Sequence, residues 1–146
     1  MTVQGFRSSP TLMYLEANKA FRFEGSLPFG GFTWDGRAPN RAVQAADPLL
    51  DPTEMANADV SAVAAKVRQL PYFNDFSSVF GLPASPSDAQ IFEHLKTALQ
   101  TYQQIDSDYL LFNSKFDRYL DGKATLTVQE ARGLGAFNDP NKGNCA

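Results

Sequence analysis

The stretch SPSDAQIFEHLKTALQTYQQI, residues 85–105, decides the fold. Ser85, Pro86 and Asp88 form a helix-start signal, with a small hydroxyl side chain, a residue whose φ is already helical and an early acid. Behind it, Ile91, Phe92, Leu95, Ala98, Leu99, Tyr102 and Ile105 recur at helical spacing and make one continuous apolar stripe. A helix with such a stripe needs other apolar surface to cover it. The neighbouring sequence offers that surface in further helices.

Upstream, Asn57 or Asp59 can cap a helix whose apolar positions Val60, Val63, Val67 and Leu70 keep the same period until Pro71 stops it. A second short helix carries Tyr72, Phe73, Phe76, Val79 and Phe80 and ends at Gly81. Downstream, Thr127 and Glu130 make a capping box, and Val128, Ala131 and Leu134 are expected to face inward before Asn138 to Gly143 break the helix. Near the start, Ser9 as cap and Pro10 at the first helical position predict a short helix through Leu12, Met13 and Leu15. From Gly25 to Pro52 the chain is dense in glycine and proline yet carries Phe29, Phe32 and Trp34, so it reads as an ordered functional loop. No period-two strand stands out, and the expected class is all-α. The cluster of small residues from Gly81 to Ser85 suggests a boundary, dividing the chain into 1–82 and 83–146.

The chain has 146 residues, 43% of them hydrophobic, which is enough for a core of its own. Thirteen basic and sixteen acidic side chains are scattered without runs, for a net charge of -3, so nothing favours nucleic acid or an anionic membrane. No window approaches the roughly 18 consecutive apolar residues of a membrane span. The first residues do not form a signal-peptide core. With one cysteine, Cys145, no internal disulfide can form.

Glycine-rich phosphate loops, nucleophile elbows, HExxH and CxxC pairs are all missing. The single histidine, His94, lies beside the apolar stripe and reads as a boundary residue, because a metal site needs convergent partners. Glu54, followed by Met55, is open to two readings: a loop carboxylate tuned for proton transfer, or a glutamate meeting backbone amides at a helix start. Trp34 sits in Trp34-Asp35-Gly36-Arg37, where Asp-Gly signals a turn and Arg37 can hold the aspartate or an anion. A lone tryptophan is by default a core anchor. Cys145 follows a glycine-containing loop and taken alone is an incidental thiol.

Three blocks nevertheless resemble the bacterial di-haem cytochrome c peroxidase family, MauG-type enzymes included. The first is Arg7-Ser8-Ser9-Pro10-Thr11-Leu12, similar to the segment after the family's first haem-attachment site. The second runs from Phe32 through Trp34, Asp35, Gly36 and Arg37 to Gln44-Ala45 and Pro52-Thr53-Glu54-Met55-Ala56-Asn57, in the family's order and spacing. The third, from Phe116-Asp117-Arg118-Tyr119-Leu120-Asp121-Gly122 through Glu130 and Phe137 to Gly143-Asn144-Cys145-Ala146, looks like the run into the family's second CxxCH.

The resemblance implies a cytochrome c-like fold in which residues 1–82 complete the first, peroxidatic haem domain and 83–146 begin the second, electron-transfer domain. It implies that Trp34 relays electrons between two c-type haems, that Gln44 and Glu54 line the peroxide side of the first, and that Met55 supports their loop. Cys145 is implied as the first thioether cysteine of the second haem, with no protein metal ligand inside this chain. Heterolysis of a peroxide at haem needs a base to carry a proton between its oxygens, the part that falls to Glu54, while the Gln44 amide can donate to oxygen as charge develops.

The implied reaction is reduction of hydrogen peroxide to water with electrons from a small cytochrome c or copper protein, in the periplasm, with a homodimer among the assemblies the family uses. The alternatives are MauG-type oxidation of a protein substrate, electron transfer alone, or a haem-free helical interaction module. Several family members carry calcium between their domains, with asparagine where Ser8 stands here. The chain is expected to stop two residues into the second CxxCH, with the first attachment site lying before Met1, and so not to hold c-type haem as it stands.

Overall fold

The computed structural model describes residues 4–5 and 7–145. They belong to two compact units, Met1–Leu110 and Leu111–Ala146.

In the first unit an antiparallel hairpin, β1 (Arg22–Glu24) and β2 (Leu27–Phe29), precedes four helices: α1 (Arg41–Leu50), α2 (Val60–Arg68), α3 (Phe73–Val79) and α4 (Asp88–Ile105). The second unit holds α5 (Lys115–Leu120) and α6 (Val128–Asn138). Helices dominate, as expected, and the hairpin is a small addition. Its strands pair Arg22 with Phe29 and Glu24 with Leu27, closing on a two-residue turn in which Gly25 has a φ of 64°. A glycine at positive φ in the first turn position matches the twist of a hairpin. Three-residue strands are too short to display alternation, which is why no strand signal was visible.

The core lies where α1 and α2 pack on α4. Val63, Ala64 and Val67 of α2 meet Ile91 and Phe92 of α4, with Leu49 and Leu50 of α1 and Phe73 and Phe76 of α3 against them. Ala64 is wholly buried, and its small side chain lets α2 approach α4 closely. The apolar stripe of α4 is used unevenly. Ile91 is fully buried, whereas Ile105, at the far end, is 72% exposed. Ser87, not Ser85, caps α4, in a reciprocal box with Gln90. Asp59 caps α2; the other candidate, Asn57, is buried and instead donates to the Leu49 carbonyl at 2.6 Å.

Three expectations give way. The segment after Pro10 forms a turn and one 3-10 turn, Leu15–Ala17, entered through Tyr14 at a φ of 63°, because an L residue in the left-handed region cannot continue an α-helix. Residues 41–50, expected as loop, form α1. Asn40 accepts from the Val43 amide as its cap, and Pro48 sits in the last turn, where it removes one i→i−4 bond, to the Gln44 carbonyl, close to the end of the helix. In α6, Val128 and Ala131 do not face inward: Val128 is 71% exposed and Ala131 is exposed, with Leu134 only half-buried. A 36-residue unit has too little interior to bury them.

Because α4 packs on α1 and α2, it belongs to the first compact unit, and the units part between Leu110 and Leu111. The cluster from Gly81 to Ser85 serves as the connection between α3 and α4. No helix among the described residues is long and apolar enough to cross a membrane.

Candidate functional site

The first unit holds an open cleft of about 620 Å³. Its wall combines three segments: the stretch from Arg7 to Leu12, the loop bearing Thr33, Trp34 and Arg37, and the end of α1 with the turn that follows, contributing Gln44, Asp47, Pro48, Asp51, Thr53 and Glu54.

The Trp34 loop is closed on itself. Gly31 and Gly36 have φ values of 88° and 72°, and a Cβ on Gly31 would stand 2.3 Å from the Gly36 carbonyl oxygen, so only glycine allows this approach. Phe32 donates its amide to the Ala38 carbonyl at 2.9 Å across the loop base. Trp34 at the tip is 65% exposed and is not the core anchor its type suggests. Its indole N–H donates to the Ser8 carbonyl at 2.8 Å.

Asp35 organises the charges of the loop. It accepts from the Thr33 hydroxyl at 2.7 Å and from the guanidinium groups of Arg7 at 2.7 Å and Arg37 at 3.0 Å. The Thr33 hydroxyl first, then Arg7, hold the Asp35 carboxyl well below the usual carboxylate range. Arg37 also reaches Asp47 on α1 at 3.5 Å, and the two carboxylates raise its already high pKa further, Asp35 contributing more. Of the two uses open to Arg37, holding the aspartate is the one seen.

Gln44 is placed by the docking of α1 on α4. The buried Arg41 side chain donates to the Gln103 carbonyl at 3.2 Å and pairs with Glu16 at 3.0 Å, and the Ala42 amide donates to Gln100 Oε1 at 3.1 Å. With the start of the helix thus tied, Gln44 faces the cleft one turn later. Its Oε1 is buried without a hydrogen-bond partner.

Glu54 sits in the turn after α1. Asp51 accepts from both the amide and the hydroxyl of Thr53, at 2.7 and 2.6 Å, and these two bonds lower its pKa. The Met55 amide donates to the Pro48 carbonyl at 3.1 Å, and Ala56, at a φ of 51°, turns the chain towards α2. Glu54 therefore lies six residues before α2 begins, not at its first turn. Its side chain is exposed on the cleft wall.

Trp34, Gln44 and Glu54, at successive ten-residue intervals in sequence, thus share one cleft. Met55 is adjacent, but its side chain is exposed and is not part of the wall. His94 is half-buried, its ring 4.7 Å from that of Phe80, as a boundary residue would be. Cys145 belongs to the second unit. After α6 the chain folds back, the Gly143 amide donating to the Ala136 carbonyl and the Cys145 amide to that of Phe137, both at 3.0 Å. The thiol is free and exposed, 2.9 Å from the Gly143 carbonyl. Sequence reasoning missed Asp47 and Asp51 as cleft residues. The Asp-Pro-Thr order at 51–53 is the signal that could have located the turn.

The first unit thus carries a surface cleft lined by an exposed indole, a half-buried glutamine whose Oε1 lacks a partner and an exposed carboxylate. The comparisons name its class. A sequence model of the di-haem cytochrome c peroxidase family matches residues 1–125, and this chain belongs to that family.

It is 36% identical over 135 residues to the methylamine utilization protein MauG of Paracoccus denitrificans, covering 91% of this chain and 35% of that protein. It is 33% identical over 105 residues to the cytochrome c551 peroxidase of Nitrosomonas europaea, covering 71% and 29% respectively. The crystal structure of the diheme peroxidase BthA from Burkholderia thailandensis matches with a TM-score of 0.83 and 35% identity, over 97% of this chain and 36% of that one. The chain thus spans about a third of the length of these relatives.

The family implies haem c, and Gln44 and Cys145 each offer a feature that such a group would use. The Gln44 amide oxygen, buried in the cleft without a protein partner, is open to a polar ligand atom or a water, and the amide can turn end for end to offer either its acceptor or its donors. A free, exposed thiol, as at Cys145, is what thioether attachment uses.

Proposed function

We propose that this chain supplies the peroxide-side pocket of the first haem of a di-haem peroxidase and the first part of its second haem domain, the haem-domain boundary falling near residues 82 and 83 although α4 packs within the first compact unit. The reaction we assign is reduction of hydrogen peroxide to two waters, with two electrons from a small donor cytochrome c or copper protein and two protons from solvent, in the periplasm. The observation that carries this reading is the convergence of Trp34, Gln44 and Glu54 on one cleft.

When bound, haem supplies the iron centre at which the O–O bond is cleaved and the route by which electrons arrive. The protein's part is proton handling and orientation. The Glu54 carboxylate takes the proton from one peroxide oxygen and returns it to the other, so that the leaving oxygen departs as water and not as hydroxide. The Gln44 amide donates to the oxygen on which charge accumulates, from a position fixed before substrate arrives. Trp34, an exposed aromatic at the edge of the cleft, relays electrons. Cys145 anchors the second haem.

In the haem-loaded protein containing this chain, Glu54→Gln is expected to slow peroxide turnover by about 10²–10⁴-fold, the range of a lost general acid–base. Gln44→Ala is expected to slow it less while leaving the melting temperature unchanged. Stopped-flow kinetics measures both, and a Glu54→Gln enzyme with unaltered rates removes the assignment. A second reading, MauG-type oxidation of a protein substrate, is favoured by the 36% identity to MauG over 91% of the chain. It predicts that a protein substrate, and not a small redox donor, accounts for peroxide consumption.

A further inference from the structure

Trp34 is held in an unusual way for a large aromatic side chain. It is 65% exposed, so packing does little to fix its rotamer, and the bond that orients it is the one from its indole N–H to the Ser8 carbonyl, 26 residues away. Ser8 lies in a stretch, residues 8–11, with no regular secondary structure to hold it. That acceptor is only as well placed as whatever secures this stretch to the rest of the unit. The neighbouring residue, Arg7, makes the link by pairing with Asp35 at 2.7 Å, and Asp35 follows Trp34 directly in the chain. Asp35 is itself fixed within its loop by the Thr33 hydroxyl at 2.7 Å and by the backbone amide of Arg37 at 3.3 Å.

We propose that Asp35 is a positioning residue for Trp34: by gripping Arg7 it secures the Ser8 carbonyl that receives the indole N–H. Two bonds from adjacent residues of the loop to adjacent residues of the segment, Asp35 to Arg7 and Trp34 to Ser8, form a clamp in which each limits the freedom of the other. Arg37 does not complete the clamp, since its second partner is Asp47 on α1 and not the segment at 7–8. The inference rests on the reading of Trp34 as an electron relay for its functional meaning, because relay efficiency depends on a fixed ring. The clamp itself requires no haem.

The test uses the 146-residue chain without haem, in which Trp34 is the only tryptophan, so that its fluorescence reports on this ring alone. Asp35→Asn and Arg7→Ala are each expected to shift the ratio of docked to undocked indole by about twofold, the scale of one exposed ion pair. The shift reads as faster anisotropy decay and stronger acrylamide quenching. Arg7→Lys should recover most of the wild-type signal, and the double variant should go no further than either single one. Arg22→Ala, which removes an ion pair within the hairpin, should leave the signal unchanged.

Wild-type anisotropy and quenching in Arg7→Ala would overturn the clamp, as would an equal change in Arg22→Ala. If Asp35→Asn loses helical circular dichroism, Arg7→Ala decides the matter, since it alters a half-exposed side chain outside the core. Failure here leaves peroxide turnover unaddressed, and failure of the peroxidase assignment leaves the fluorescence result standing.

Discussion

Ile91 in the first unit is completely buried among side chains from neighbouring helices, whereas among the described residues of the second unit none is buried and Val128, Leu120 and Phe137 all face solvent. The two regions nevertheless have helices with equally good local signals. Ser87 with Gln90, Ser114 with Asp117 and Thr127 with Glu130 all form complete capping boxes. In the first unit these caps add to a core. In the second, the ion pair that joins the start of α5 to the start of α6 is Lys115 with Glu130 at 2.6 Å. Good capping alone therefore specifies where a helix starts without supplying the burial that makes a unit cooperative.

The largest expected difference comes from Ile91→Ala, which removes a fully buried side chain and should destabilise the first unit by about 2–5 kcal/mol. Hydrogen exchange should then show faster amides across α1, α2 and α4 and no change in α5 and α6. Equal loss in α6 would mean that the two regions unfold as one.

A smaller effect is expected from Thr127→Ala, about 1 kcal/mol for a lost cap. With no buried residue behind it, α6 should fray visibly in its NMR chemical shifts, whereas the matching Ser87→Ala change should leave α4 helical. Equal fraying in the two helices would remove the contrast.

The mildest test is acidification. Hydrogen bonding to Lys115 first, and then to the Thr127 backbone and hydroxyl, holds the Glu130 carboxyl at about 2 against an ordinary 4.5. A depressed acid stabilises the fold fully above its unfolded value and loses that contribution as pH falls through its folded value. The link between α5 and α6 should thus weaken between pH 4.5 and about 2, with the Glu130 carboxyl signal following the lower midpoint. Titration of Glu130 near 4.5 would show that the pair does not persist in solution.

Local signals made α2, α3, α4 and α6 readable from sequence because caps, breakers and a helical apolar period act within a few residues. The same logic failed at α1, where Pro48 and the surrounding glycine-rich sequence imitate a loop, although Asn40 caps the helix and Arg41 docks it through contacts with residues 16 and 103. It failed at α5, which is six residues long, and at the hairpin, whose strands are three residues each. The candidate site was legible as residue types matching a family pattern. Its convergence was not, since three side chains at ten-residue intervals follow no helical or strand period.

By itself, then, the sequence determined the helical class, most helix boundaries and the family, because propensity, capping and motif order are carried by neighbouring residues. Only the tertiary structure decided that the last two positions of the α4 stripe, Tyr102 and Ile105, stay exposed, that Trp34 is exposed and held by a distant carbonyl, and that Gln44 and Glu54 face one cleft. Those outcomes depend on which surfaces of separate segments meet, and burial and long-range hydrogen bonds exist only once the chain has brought them together.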